Sequence, residues 1–242
     1  MAAPQSRLPS SRSSFARRTA LPRCAVQRRF CFHAEARRIR ALPHLTIDLA
    51  LTQVGVVSRG MHDNPANVRA FGIENDDRRS RSLARFFEPV LRGLHKRGVL
   101  MGAFRDGALV GVCGMARPGS CQPTLLEKIH VLPSLVFGNS VGTPVRVLRW
   151  VGEWARPDPA RPHWHLGPVA VDPHVQGQGI GGAMLGAFCE RMDQEHKLSY
   201  LETDKFENVG FYQKFRFIVV AEAKVLRIPN WFMSRLPKSH TG

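Results

Sequence analysis

The sequence predicts an α/β protein with one sizeable domain behind a basic extension. Three observations carry that reading. Strand-like and helix-like periodicities alternate between residues 45 and 233. An Asp106-Gly107 pair divides two apolar runs, as a hairpin turn does. A glycine-rich loop over 172–179 separates a strand-like run from a helix-like run in the last third of the chain. The predicted order is β-α-α-β-β-(α)-α-β-α-β-α-β-β, and no internal repeat is present.

The first predicted strand is 45–51, where apolar and polar residues alternate. Residues 61–97 read as helix in two pieces. Asn64-Pro65 opens one, because Pro suits a first helical turn. Ser80 is the expected cap of the other, with Leu83, Phe86, Phe87, Val90, Leu91 and Leu94 spaced by three and four. Pro89 should kink or shorten that run and Gly98 should end it. Residues 99–104 and 108–116 form the hairpin strands, and one of Gly111 and Gly114 is expected at a bulge. A short helix is expected within 123–135, a loop at 138–140 and a helix over 145–154. Arg156-Pro157-Asp158-Pro159 breaks that helix. Then follow a strand at 163–171, a helix over about 181–195, a strand at 199–203, a short helix at 207–215 and strands at 217–223 and 228–233.

Charge divides the chain. The formal net charge is +16, and residues 1–41 hold ten Arg against the single acid Glu35, which gives 10 − 1 = +9. The remainder carries 16 − 9 = +7. An Arg/Ser-rich, acid-poor segment buries too little apolar surface to fold alone, so 1–41 is expected as a disordered extension and 42–242 as the folded domain. The same composition fits organelle targeting or nonspecific nucleic-acid binding as lesser readings. No run of 18 apolar residues occurs, so a membrane-spanning helix is not expected. Five scattered Cys without a CxxC give no zinc or disulfide framework, and no metal is expected. Reduced thiols fit a cytoplasmic protein.

The chemistry concentrates in Asp172-Pro173-His174-Val175-Gln176-Gly177-Gln178-Gly179-Ile180-Gly181-Gly182. Glycines let the backbone approach a ligand, and the free N–H groups of the following helix favour an anion such as a pyrophosphate. Gly177-x-Gly179-x-x-Gly182 also matches a dinucleotide fingerprint. That fingerprint opens the first βαβ unit of a doubly wound sheet, however, and here too little chain follows the loop to build one. A P-loop is excluded because no Gly-Lys-Ser/Thr follows the glycines.

With Val169-Ala170-Val171-Asp172-Pro173 ahead of Gln176-Gly177-Gln178-Gly179-Ile180-Gly181, this stretch resembles the acetyl-CoA loop of the GNAT superfamily of N-acetyltransferases, [QR]-x-x-G-x-[GA]. Asn208-Val209-Gly210-Phe211-Tyr212 resembles the family's later Asn and Phe-Tyr helix, and Leu201-Glu202-Thr203 resembles a subset of its members. The likeness covers about 99–220. It implies a mixed, mostly antiparallel central sheet with helices on both faces, whose strands splay apart beside the loop to admit pantetheine. It implies acetyl-CoA as co-substrate. Gly177, Gln178, Gly179, Ile180, Gly181 and Gly182 would hold the pyrophosphate, and Gln176 would shape the loop. Val169, Ala170 and Val171 would line the pantetheine arm, and Asn208 would contact it. One departure stands out: the family places Leu-Gly-Phe after the Tyr helix, and this chain has Phe215-Arg216-Phe217.

Direct attack of an amine on a thioester needs a proton for the departing thiolate and a base for the amine. Resemblance implies Tyr212 as the acid. Glu202 is the expected base, with His165 or a water chain as competitors. Trp150 and Trp154, four apart, read as core, and His62-Asp63-Asn64 suits an acceptor loop or helix capping by Asp63 or Asn64 equally well. The acceptor is a small-molecule amine or a protein amine, with no membrane partner, nucleic acid disfavoured, and a homodimer left open. Two other classes remain: an acetyl-CoA-binding sensor without activity, kept alive by Arg216, and a nucleic-acid-binding protein acting through the basic tail.

Overall fold

The computed structural model describes residues 37–42 and 47–238. The expectation that the N-terminal segment is disordered lies, for residues 1–36, outside the described residues. Seven strands form one sheet: β1 (Arg37–Ala41), β2 (Gly98–Arg105), β3 (Ala108–Ala116), β4 (Trp164–Val171), β5 (Ser199–Thr203), β6 (Ile218–Val225) and β7 (Ile228–Arg235). Their order is β1-β2-β3-β4-β5-β7-β6, and every neighbouring pair is antiparallel except β4–β5. The helices are α1 (Ile47–Gly60), α2 (Pro65–Phe71), α3 (Asp76–Arg97), α4 (Leu125–Val136), α5 (Gly142–Trp154), α6 (Ile180–Gln194) and α7 (Phe206–Gln213). Among the described residues, no helix is long and apolar enough to cross a membrane.

The strand period of two assigns the side chains to two cores. Val112 and Tyr200 face one side, where Val57 of α1, Phe71 of α2, Leu83 and Phe86 of α3, and Trp150 of α5 pack. Cys113 and Leu201, one residue further along, face the other side with Met184 and Phe188 of α6 and Val209 and Tyr212 of α7. Trp150 and Trp154 meet edge to face at 4.9 Å, as core residues. The hairpin turns as its sequence requires, with Asp106 and Gly107 both at positive φ (50° and 80°). Gly114 sits where the β3/β4 register slips, which places one bulge at a glycine.

Three expectations are corrected. The described part of the predicted strand 45–51, from Ile47 on, is instead the start of α1. Seven alternating residues hid the face formed by Gln53, Val54, Val56 and Val57, all buried. Burying that face against β3 and β4 outweighs the β preference of its valines. The true first strand, β1, falls at Arg37–Ala41, within the segment expected as extension, and pairs antiparallel with β2 from Arg37↔Arg105 to Ala41↔Met101. The second piece of the 61–97 helix starts at Asp76 rather than Ser80. Asn75 caps it by accepting from the Arg78 N–H at 2.9 Å, and Asp76 and Asp77 suit its positive end. That helix runs through Pro89 to Arg97.

Candidate functional site

The parallel β4–β5 pair is registered only at Trp164↔Ser199 and His165↔Tyr200. Beyond that point β4 continues to Val171 and β5 to Thr203 without pairing. A gap therefore opens between the two halves of the sheet. A bulge contributes: β3 advances two residues from Cys113 to Met115 while β4 advances three, from Leu166 to Val169. The edge of β4 that faces β5 is left with main-chain groups open to a partner.

The glycine loop closes one end of this gap. Gly177 and Gly179 take φ values of 73° and 80°, the left-handed region that a side chain would strain. Gly179 is the residue before α6, so the free N–H groups of its first turn face the loop. Gln176 Nε2 donates to the Val171 carbonyl at 3.0 Å, which folds the loop back on its strand. Arg105 Nη1 donates to Gln178 Oε1. A Cβ on Gly181 would meet Phe211 and Val171 only at 3.7 Å, so this turn packs against α7 with ordinary contacts. Asp172 Oδ2 accepts from Arg59 Nε at 3.1 Å and Nη2 at 2.6 Å, tying the end of α1 to the loop. Burial pushes the Asp172 carboxyl up, but Arg59 and the His174 N–H outweigh it and hold the group below the usual carboxylate range. A Cβ on Gly60 would lie 2.7 Å from the Val171 carbonyl, so α1 ends directly against β4 at the mouth of the gap.

Tyr212 of α7 is buried within the α6–α7 core. Burial, with Cys113, Asp204 and Glu202 near its hydroxyl, pushes its pKa well above the ordinary phenol value. It therefore stays protonated across neutral pH, as a proton donor must. The turn after it takes the left-handed conformation that suits a glycine, although its residue is Arg: Arg216 has φ 69°, and Phe217 N–H donates to the Tyr212 carbonyl at 3.3 Å. Asn208 Nδ2 donates to Thr203 Oγ1 at 3.3 Å, which anchors α7 to the end of β5.

The two competing base candidates prove to be partners. His165 Nε2 faces Glu202 Oε2 at 2.8 Å, and both side chains are largely buried (18% and 5% exposed). Burial alone would lower the imidazole's pKa, but Glu202 and then Cys121 raise it to about 10. The pair sits where β4 and β5 part, on the face opposite α6 and α7.

Several neighbours of the gap carried no local sequence signal. Arg59 lies 113 residues from Asp172. Asp204 accepts from the Ala66 N–H at 2.6 Å and so supplies the cap of α2 from another segment. Asp63 pairs with Lys205 at 2.8 Å instead of capping α2, and Asn64 makes no side-chain cap there. The 62–64 turn is thereby tied to the β5–α7 corner. The metal-free reading of the cysteines also passed over a cluster: donor atoms of Cys121, His163 and His165 lie within 4.8 Å of one another.

The fold recurs in solved structures. A Corynebacterium glutamicum protein described as histone acetyltransferase HPA2 and related acetyltransferase superposes with a TM-score of 0.63 at 20% identity, over 86% of this chain and 99% of that one. A Pyrococcus horikoshii protein superposes with a TM-score of 0.52 at 14% identity, over 84% and 99%. At such identities the likeness is one of fold alone. The acetyltransferase (GNAT) family profile matches residues 68–217, which is more than half of the chain and includes the hairpin, the gap, the glycine loop and the Tyr212 helix. The protein belongs to the GNAT family of acetyltransferases.

Proposed function

We propose that the protein transfers the acetyl group of acetyl-CoA to a primary amine by direct attack within a ternary complex. The observation that carries this reading is the meeting of a left-handed glycine loop, a helix start and an unpaired strand edge at one gap. The N–H groups of Gly177, Gln178, Gly179, Ile180, Gly181 and Gly182 bind the pyrophosphate, and Gln176 holds the loop shape. Val169, Ala170 and Val171 hold the pantetheine arm along the edge of β4, and Asn208 borders it from α7. A β4 N–H polarises the thioester carbonyl.

The amine nitrogen attacks the carbonyl carbon, a C–N bond forms, and the C–S bond breaks. Glu202, oriented by His165, takes the proton from the amine. Tyr212 gives its hydroxyl proton to the departing thiolate. The acceptor enters from the face of His165 and Glu202, beside Arg59, Asp63 and Lys205. It is a small-molecule or protein amine. The full chain is tested with acetyl-CoA against small amines, polyamines and amine-bearing peptides, reading free thiol release. Release that depends on one amine class supports the proposal. Acetyl-CoA binding without release for any amine overturns the transfer step and leaves a binding protein.

A further inference from the structure

The 117–124 loop that follows β3, the 155–163 loop that precedes β4, and β4 itself converge on a group of side chains of which acetyl transfer uses only His165. Cys121 Sγ lies 3.4 Å from His163 Nε2. Asp158 Oδ1 lies 2.9 Å from the same nitrogen. The His163 side chain is almost fully buried (5% exposed) and that of Asp158 mostly so (17%). Asp158 Oδ1, His165 Nδ1 and Glu202 Oε2 are all buried without a hydrogen-bond partner. Unpaired buried polar atoms are costly and ask for an explanation.

The outer nitrogens of the two imidazoles are spoken for. His163 Nδ1 faces the Arg161 carbonyl at 2.8 Å. A carbonyl only accepts, so Nδ1 carries the proton and the neutral ring turns its Nε2 lone pair inward, toward a thiol and a carboxylate. His165 Nε2 faces Glu202 at 2.8 Å, and a ring nitrogen of His165 lies within 4.8 Å of the donor atoms of Cys121 and His163. His163, whose outer N–H meets a carbonyl and whose inner nitrogen points at the Cys121 sulfur, has the surroundings of a metal-bound imidazole. We propose that Cys121, His163 and His165 bind a divalent cation of the zinc class, with the Asp158 carboxylate beside His163 as a neighbouring countercharge.

The Cys121–His163 separation fits, and the remaining donor pairs lie within 4.8 Å. Tetrahedral zinc with bonds of about 2.3 Å to sulfur and about 2.0 Å to nitrogen sets the ligands about 3.5 Å apart. Cys121 and His163 stand at 3.4 Å. One thiolate and one carboxylate cancel the charge of the cation, and the neutral imidazoles add none. Gln122 Nε2 donates to Asp158 Oδ2 at 3.1 Å, which orients the carboxylate with Oδ1 beside His163. Bound metal replaces protons on the rings and the thiol, so binding releases protons. The site stands independently of the acetyl-transfer reading, although His165 would link the metal to Glu202.

The test uses the full chain, stripped by chelator and titrated with Zn²⁺ and with Co²⁺. One equivalent should bind, and Co²⁺ should show a thiolate charge-transfer band. Cys121→Ser should abolish the band, and His163→Gln should weaken Zn²⁺ binding by about a hundredfold or more. Near-ultraviolet circular dichroism and acetyl-CoA calorimetry on the same variants report whether the fold is intact. One equivalent of Zn²⁺ should also shield Cys121 of the unaltered chain from alkylation, as peptide mass spectrometry would show, so the proposal remains testable if a variant unfolds. No stoichiometric binding by the unaltered chain overturns it. So does a band that survives Cys121→Ser and disappears with Cys24→Ser and Cys31→Ser, which would place the metal on the N-terminal segment.

Discussion

Replacing Gly181 by Asp puts a carboxylate in the first turn of α6, and comparison with Gly181→Asn isolates its charge. The side chain has room, since its Cβ would meet Phe211 and Val171 at 3.7 Å. Neither substitution requires left-handed backbone, because Gly181 lies inside the helix rather than at Gly179. Both variants should therefore fold, and removing a helical glycine should stabilise the free protein by up to about 1 kcal/mol. The carboxylate also suits the helix's positive end and should add about 0.3–1 kcal/mol when nothing else is bound. A bound pyrophosphate reverses that sign. Taking two phosphate charges about 6 Å from the carboxylate, the repulsion is about 1.4 kcal/mol at water's dielectric constant and about twice that at half of it. Gly181→Asp should therefore bind acetyl-CoA about 10- to 100-fold more weakly than Gly181→Asn, and the difference should shrink as salt is raised. Calorimetric titration reads the binding, and thermal unfolding of the free variants reads the fold. Equal affinity for the two variants, both as stable as the parent, would refute the assignment of the pyrophosphate to this turn.

Tyr212→Phe should lower kcat by about 10²–10⁴-fold and leave acetyl-CoA affinity nearly unchanged, as steady-state kinetics and calorimetry together would show. Arg216→Gly should relieve the left-handed strain at φ 69° and raise stability by about 1 kcal/mol, or about 2–4 °C in Tm; an unchanged or lower Tm would mean that Arg216 is held there without cost. Asp193 accepts from buried Arg235 Nη2 and from the Lys238 N–H, both at 2.7 Å. Burial pushes its carboxyl up, but those two donors outweigh it and hold it below the ordinary value of 3.8. Its contribution to stability is therefore fully present above that value and is lost as pH falls through the lower, folded value. Asp193→Asn should cost about 3–5 kcal/mol at neutral pH by leaving Arg235 unpaired, and should flatten the acid limb of the Tm–pH curve.

From β2 onward, the elements were legible because local signals agreed with tertiary need. Asp106-Gly107 demands positive φ at two successive residues, and the hairpin supplies it. The glycine loop, α6, β5, α7 and the last two strands follow from short patterns bounded by clear breakers. Before Asn64 the reading failed, where the pattern was ambiguous, whereas the two helices between there and β2 were found, the second with its start misplaced from Asp76 to Ser80. Alternation over Leu45 to Leu51 suits a strand, and only burial of the Gln53–Val57 face against a sheet not yet built shows a helix. β1 was hidden because five residues, three of them Arg, look like tail until β2 offers them an edge. In the site, the loop and Tyr212 were readable from contiguous motifs. The contacts that frame them were not, since Arg59–Asp172, Asp204–Ala66 and Asp63–Lys205 join residues more than a hundred positions apart. Glu202 and His165 looked like rivals because spacing along the chain cannot show that two parallel strands bring them to 2.8 Å.

β1 also decides where the chain can be cut. Charge alone invites removal of residues 1–41, at the end of the arginine-rich stretch. That cut would strip the outermost strand and leave the main-chain donors and acceptors of Met101 to Arg105 facing water. A bare edge of this kind pairs readily with its copy in another chain. Shortened enzyme beginning at residue 42 should therefore self-associate, whereas enzyme beginning at residue 36 keeps its own strand in place.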